Sequence, residues 1–417
     1  MSGLKILGFK ALKWLERYTK TDMLYLARGG FWLGVGQFVA SGSAFVTSLV
    51  FANLLLPDTY GIYKYVLSIY GLLTISTLSG MDSAVTQAVA RNYEGTLAPA
   101  VKEKIRWGFI GSLLSILIAV YYFIQSNVTL AISFSVVAVF VPFIESFDMY
   151  NSLLWGKKLF STQVTYNVIK KIVSLAAIIL TVFLTNNIYI ILFVYFIFTT
   201  VPSVFIYFRT KKYHQENNNV DPEAIGYGKH LSLAYIISTA LSELDKILVF
   251  QYVGAVDLAI YTLATAPTDQ IKGLFKNINS LAMPKFSERT PEDIKKNIWH
   301  KVRILTFSMC LIVIVYILIA PYFFSFFFPK YLSSIRYSQV LSLSLIPVVI
   351  SGFIYTVLES QKAKKEIYQY NFYGNIFGIV ILFPLVYYFG IWGAISSRVV
   401  TRSFSFVLAS ILVKRIS

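Results

Sequence analysis

Residues 209–230 read RTKKYHQENNNVDPEAIGYGKH, the most polar connection in a chain that is otherwise largely apolar. On either side of it the sequence falls into long greasy stretches separated by gaps too short to hold soluble domains. A bilayer core of roughly 30 Å needs about 20 apolar residues in a helix. Twelve stretches meet that need, the first near 29–56 and the last near 391–413. Six precede the polar connection and six follow it. The reading is an all-α polytopic membrane protein, with twelve transmembrane helices in two pseudo-symmetric six-helix bundles around a central cavity. Its parts are an amphipathic segment at 1–28, a first bundle at 29–208, a cytoplasmic linker at 209–230 and a second bundle at 231–417. Even numbers in the two halves make the repeat parallel. A faint echo supports it: LLLPDTYGIY ends at Tyr63 and YVGAVDLAIY at Tyr261, 198 residues on, and at the same offset Arg91 matches Arg289 and Glu94 matches Glu292.

Composition agrees, with 56% hydrophobic residues and a mean hydropathy of +0.65. The net charge of +17 raises nucleic acid as a partner, but the positions of the cations answer otherwise. If the N-terminus is cytoplasmic, the inward segments hold 27 of the 37 Lys and Arg, and the outward connections hold only Lys330 and Arg336. That asymmetry is the positive-inside rule. It places both termini in the cytoplasm and removes the need for nucleic acid. Residues 3–19, LKILGFKALKWLERYTK, read as an interfacial helix on the inner leaflet, with a disordered basic leader as the alternative. The single cysteine, Cys310, excludes a disulfide framework, and with only three scattered His the sequence argues against a metal centre.

Eight cations remain inside the stretches: Lys64, Lys170, Lys171, Lys246, Lys272, Lys276, Arg398 and Arg402. Charges at mid-membrane cost about 2.5–3.5 kcal/mol and are expected to face protein or water. Arg398 and Arg402, at i and i+4, share one helix face and have no acid in their own stretch. Asp269, Lys272 and Lys276 share another face. In ALSELDKILVFQYVG, residues 240–254, Glu243 and Lys246 lie at i and i+3 while Asp245 points elsewhere. Two readings stand for this triad. It is an internal salt bridge holding its helix, or Lys246 faces an anionic substrate while Asp245 or Glu243 exchanges a coupling ion. Glu145 and Asp148 are rival sites for that exchange. Lys170 and Lys171 either snorkel to the inner surface or add to a basic cavity. Lys64, between Tyr63 and Tyr65, reads as an anchor at the outer interface.

Several motifs carry a resemblance: ANLLLPDTYGIYKYVLSIYGLL, ELDKILVFQYVGAVDLAIYTLATAP, SLAMPKFSE, FFPKYLSSIRYSQVLSLS and GIWGAISSRVV. In this order, across residues 28–413, they resemble the polysaccharide biosynthesis family of lipid-linked oligosaccharide flippases within the multidrug and polysaccharide exporter superfamily. The resemblance implies a cationic cavity and movement of undecaprenyl-pyrophosphate-linked repeat units, for O-antigen, capsule or similar glycans of lipopolysaccharide type, from the inner to the outer leaflet of a bacterial cytoplasmic membrane. Substrate contacts then fall to Arg398, Arg402, Lys246, Lys272, Lys170 and Lys171, with ion coupling at Asp245, Glu243, Glu145 and Asp148. No cofactor is expected beyond a coupling H+ or Na+. Membrane lipids, a glycan polymerase and glycosyltransferases are the other expected partners. The sequence departs from the family pattern in GMDSAVTQAVAR, where Gln87 stands in place of a common Arg. A cation-coupled multidrug exporter and a membrane glycan polymerase or ligase are the alternatives. The first calls for an anionic cavity. The second usually needs a sizeable outer loop, which is missing here, so the chain is expected not to be an enzyme.

Overall fold

The computed structural model describes residues 23–287, 291–361 and 363–415, and every extended element among them is helical. The helices are α1 (Met23–Leu54), α2 (Pro57–Leu73), α3 (Met81–Ala90), α4 (Leu97–Ile124), α5 (Val128–Phe147), α6 (Tyr150–Gly156) and α7 (Phe160–Leu184). They continue as α8 (Ile188–His214), α9 (Ala224–Tyr252), α10 (Ala255–Ser287), α11 (Pro291–Phe327), α12 (Ser334–Leu343), α13 (Leu345–Ser360) and α14 (Lys364–Val413). The amphipathic segment at 3–19, the Arg289 match and the side chains of Glu292 and Lys276 lie outside the described residues.

Among the described residues eight helices are long and apolar enough to cross a membrane by length and composition, against twelve stretches counted in the sequence. The difference has local causes. Lys364–Val413 bends at Gly390, whose φ of +55° suits a residue without Cβ, into two arms. The stretch carrying α2 and α3 is interrupted by a 3-10 turn at Thr74–Thr77 and by Leu78 at φ +58°. The helices α9 and α10 carry the charges that lower their apolarity.

Helix contacts rely on small residues, as expected where lipid supplies no hydrophobic drive between helices. Between α4 and α5, Ser112 Oγ donates to the Ala138 carbonyl at 2.6 Å and Ser115 Oγ to that of Phe134 at 2.8 Å. A very close approach joins α2 to α10: a Cβ on Gly61 would sit 1.8 Å from the Ala255 carbonyl oxygen, so no larger residue fits without parting the helices. The echo found in the sequence has a structural counterpart, since α2 begins at Pro57 and α10 at Ala255, again 198 residues apart. Across α2 and α9, Tyr65 stacks on Phe250 with centroids 3.7 Å apart.

Connections expected on one side of the membrane do gather at one end. Lys157 pairs with Glu94 at 2.9 Å and Glu216 at 2.7 Å, and Arg91 with Asp221 at 2.8 Å, tying the polar linker to two other turns. Lys157 is only 15% exposed in its side chain. Burial acts to lower its pKa, but the Glu216 and Glu94 carboxylates outweigh it and hold the ammonium above the usual lysine value. At the other end Lys330 Nζ donates to the Asn53 carbonyl at 2.7 Å, joining two connections expected outside. Lys104, counted in the sequence as a loop cation, is instead buried in α4, its side chain 1% exposed and paired with Asp82 at 2.9 Å. The cause is that α4 begins at Leu97, earlier than the apolar run suggested.

Candidate functional site

Three helices bring the charges of 231–417 together. On α9, Asp245 faces α10 and α14, while Glu243 and Lys246 share the neighbouring face and pair at 2.7 Å. On α10 one carboxylate, Asp269, stands between the two arginines of α14. The Arg398 guanidinium donates to Asp245 Oδ2 at 2.6 Å through Nε and to Asp269 Oδ2 at 3.1 Å, and Arg402 reaches Asp269 Oδ1 at 3.2 Å and Ser344 Oγ at 2.8 Å. Tyr261 completes the knot: its hydroxyl donates to Asp245 Oδ2 at 2.6 Å, and its ring lies 5.5 Å from the Arg398 carbon. Asp245 is 4% exposed. The arginines therefore do have acidic partners, supplied by neighbouring helices, which a reading confined to one stretch misses.

This knot walls a cavity of about 550 Å³ lined by Glu243, Asp245, Lys246, Asp269, Lys272, Arg398 and Arg402 among others. Six of the sequence-selected residues thus come together: Arg398, Arg402, Lys246, Lys272, Asp245 and Glu243. All the lining residues lie in 238–402, and the edge of the cavity meets the first half where Glu243 packs against Gly71 of α2, about 3.1 Å from a Cβ placed there. Among the described residues four basic and three acidic side chains line it, a positive balance when all are ionised.

The remaining selected residues belong to the first half. Lys170 gives its ammonium to Asp148 at 2.7 Å and to Ser203 Oγ at 3.3 Å, so a proposed substrate cation and a proposed coupling acid form one pair. Glu145 accepts only a long bond, 3.5 Å, from the Tyr70 hydroxyl. Lys171 lines a second cavity of about 350 Å³ with Gln37, Gln163 and Asn167. Lys64 differs from its expected place as an outer anchor. Its ammonium lies 5.3 Å over the Tyr60 ring and within electrostatic reach of Lys246, Glu243 and Lys171. The reason is visible on α2: Lys64 and Gly71, two turns apart, share the face that Glu243 touches. Sequence reasoning also missed Tyr261 and Asp269 as partners of the arginines. The signal for Tyr261 was its match to Tyr63, which was read only as a repeat.

Comparison with known proteins places this architecture. The chain matches the family described as polysaccharide biosynthesis protein over residues 26–290. An uncharacterized membrane protein of Methanocaldococcus jannaschii is 22% identical over 88% of this chain and 80% of its own length. Among solved structures, lipid II flippase MurJ in an inward closed conformation superposes with a TM-score of 0.65 at 14% identity, covering 91% of this chain and 87% of that one. An inward-facing MATE family multidrug resistance transporter of the MOP superfamily gives 0.61 at 11% identity, covering 91% and 96%. The family match spans well over half of the sequence and the fold agrees over about nine-tenths of it, so this multi-pass membrane protein belongs to the polysaccharide biosynthesis family.

Proposed function

We propose that the protein is a flippase that moves undecaprenyl-pyrophosphate-linked oligosaccharide from the inner to the outer leaflet of the cytoplasmic membrane by alternating access of its two halves, 29–208 and 231–417. The observation that carries this reading is the positive balance around the cleft. Among the described residues the 550 Å³ cavity has one basic side chain more than acidic ones, and Lys64 stands within electrostatic reach of Lys246 and Glu243 at its edge and of Lys171 beyond it. A diphosphate leaving water needs charge-assisted donors in exchange. A cationic drug would meet repulsion in the same place, which disfavours the multidrug exporter. The polyprenyl tail stays in lipid while the head enters.

Arg398 and Arg402 are pre-oriented by Asp245 and Asp269. A diphosphate arriving there competes with those carboxylates for the same N–H groups. Displaced carboxylates take up a proton or Na+, and releasing it on the far side resets the arginines. Asp245 and Glu243 keep their proposed coupling role in this scheme, and Asp269, 41% exposed in its side chain, joins them. The pair of Lys170 with Asp148 works as a strut, with Glu145 a second carboxyl for coupling. Because the outward connections are short, bond-making chemistry is left to the polymerase and glycosyltransferases that handle the same lipid.

The test uses proteoliposomes carrying a fluorescent undecaprenyl-pyrophosphate oligosaccharide whose exposure is read with an impermeant quencher. Lys246→Gln combined with Lys171→Gln is expected to slow flipping at least about tenfold, since each charge-assisted bond contributes about 1.5–3 kcal/mol. Wild-type flipping by the double variant at equal folded protein would refute the reading.

A further inference from the structure

Next to the linker, at the end where Arg91 and Lys157 gather, α3, α6 and α7 line an open, shallow cavity of about 420 Å³ of a different character. Among the described residues no Lys or Arg lines it, and Asp82 is its one charged lining group. One oxygen of that carboxylate is neutralised by the buried Lys104 at 2.9 Å. The rest of the chemistry is amide, hydroxyl and indole, from Gln87, Asn151, Gln163, Thr86 and Trp155. We propose that this cavity is a subsite for an uncharged, hydroxyl-rich sugar ring, stacked on Trp155 and hydrogen-bonded by Gln163, Asn151 and Asp82. The proposal deepens the flippase reading by naming where and how the glycan head is held.

Four observations converge on it. Gln163 Oε1 is a buried acceptor with no hydrogen-bond partner in the protein, and such orphan groups are few in folded proteins. The oxygen is closed off as the side chain stands, and a turn of the Gln163 carboxamide brings it to the cavity that the residue lines, where a ligand hydroxyl supplies the donor it lacks. Asn151 is fixed by two bonds, its Nδ2 donating to the Asp148 carbonyl and its Oδ1 accepting from Asn167, both at 2.9 Å, which leaves one carboxamide N–H for a ligand. The second oxygen of Asp82 is a further acceptor on a side chain 44% exposed. Trp155 is 41% exposed although it contacts Phe160 edge-on at 5.1 Å, so an indole surface stays open within a polar cavity.

Position adds to chemistry. Gln163 also lines the neighbouring 350 Å³ cavity that holds Lys171, so the neutral pocket and the basic one share a wall. A head with sugar at one end and phosphate at the other fits that order, neutral ring beside Trp155 and anion beside Lys171. Gln87, where the family pattern commonly has Arg, adds no cation to the lining and leaves Asp82 as its charged group, which disfavours acidic sugars at this step.

The experiment uses the full chain in nanodiscs with the other five tryptophans changed to Phe. Trp155 fluorescence is titrated with chitobiose, with digalacturonate and with inorganic pyrophosphate. Chitobiose is expected to quench saturably, pyrophosphate not to displace it, and digalacturonate to bind more weakly. Gln163→Ala is expected to weaken chitobiose binding about fivefold to tenfold, the loss of one hydrogen bond. Gln87→Arg, an exposed position, should move the preference toward digalacturonate. Absence of saturable quenching, or equal binding of both disaccharides in wild type and Gln87→Arg, overturns the subsite. Because no translocation is measured, chitobiose binding with failed flipping would leave the subsite standing and remove the flippase, and the reverse result would do the opposite.

Discussion

Two regions of this protein bury cations in lipid-spanning helices, and they do so differently. In the first half, Lys170 meets one carboxylate, Asp148, at 2.7 Å, with Ser203 adding a second acceptor and the Tyr150 ring 5.7 Å away. The pair is complete in itself. In the second half, Arg398 and Arg402 share Asp269, and Asp245 is shared in turn between Arg398 and Tyr261. There the ions form a network with an open cavity beside it. A closed pair offsets the desolvation of its own members and does little else. A network of shared acceptors can trade one partner for an incoming anion at smaller cost, because the anion takes over the arginines' bonds while Asp245 keeps that of Tyr261.

The comparison breaks most visibly at Arg398. Arg398→Ala leaves Asp245, 4% exposed, without its guanidinium, and removing one member of a buried pair costs about 3–5 kcal/mol. Expected is a sharp fall in thermal stability in detergent, largely recovered by adding Asp245→Asn. Failure of the second change to rescue would mean that the arginine acts through packing rather than charge. A smaller effect separates the two regions: Lys170→Met with Asp148→Leu removes the closed pair together and, as with other apolar replacements of buried ion pairs, is expected to leave stability within about 2 kcal/mol and flipping near wild type. Loss of flipping in that variant, with fold intact, would move the first-half pair from strut to binding site.

The smallest effect lies at the linker. Lys157, between Glu94 and Glu216, has its pKa raised on folding, so its contribution is present below the unfolded lysine value of about 10.4 and fades as pH climbs through the higher folded value. Lys157→Met should therefore cost about 1 kcal/mol at neutral pH, with the difference from wild type constant to about pH 10 and closing above it. Chemical denaturation of both proteins across that range checks the sign.

The architecture was legible because apolar length and basic asymmetry are written residue by residue. The gathering of the linker with Glu94 and Lys157, and of Asn53 with Lys330, at opposite ends follows the pattern of charge along the chain. The charged residues of the site were also legible, since a charge within an apolar stretch needs a reason wherever it falls. Their partners were not. Asp245 and Arg398 are 153 residues apart, and nothing in either stretch announces the other. Lys64 was placed at an interface because its neighbours are tyrosines, yet its ammonium lies over the Tyr60 ring within electrostatic reach of Lys246 and Lys171. The orphan acceptor of Gln163 and the neutral pocket beside Trp155 had no sequence signal beyond the Gln87 departure.

By itself the sequence determined that this chain lives in a membrane, how its basic connections divide, and which side chains carry unusual cost, because each of those is a sum over local transfer energies. Only the tertiary structure decided which cations are matched, which acceptors stay open and where a wet space remains. Those depend on the rotation and closeness of helices far apart in the chain, set by contacts such as Gly61 against Ala255 that no single stretch encodes.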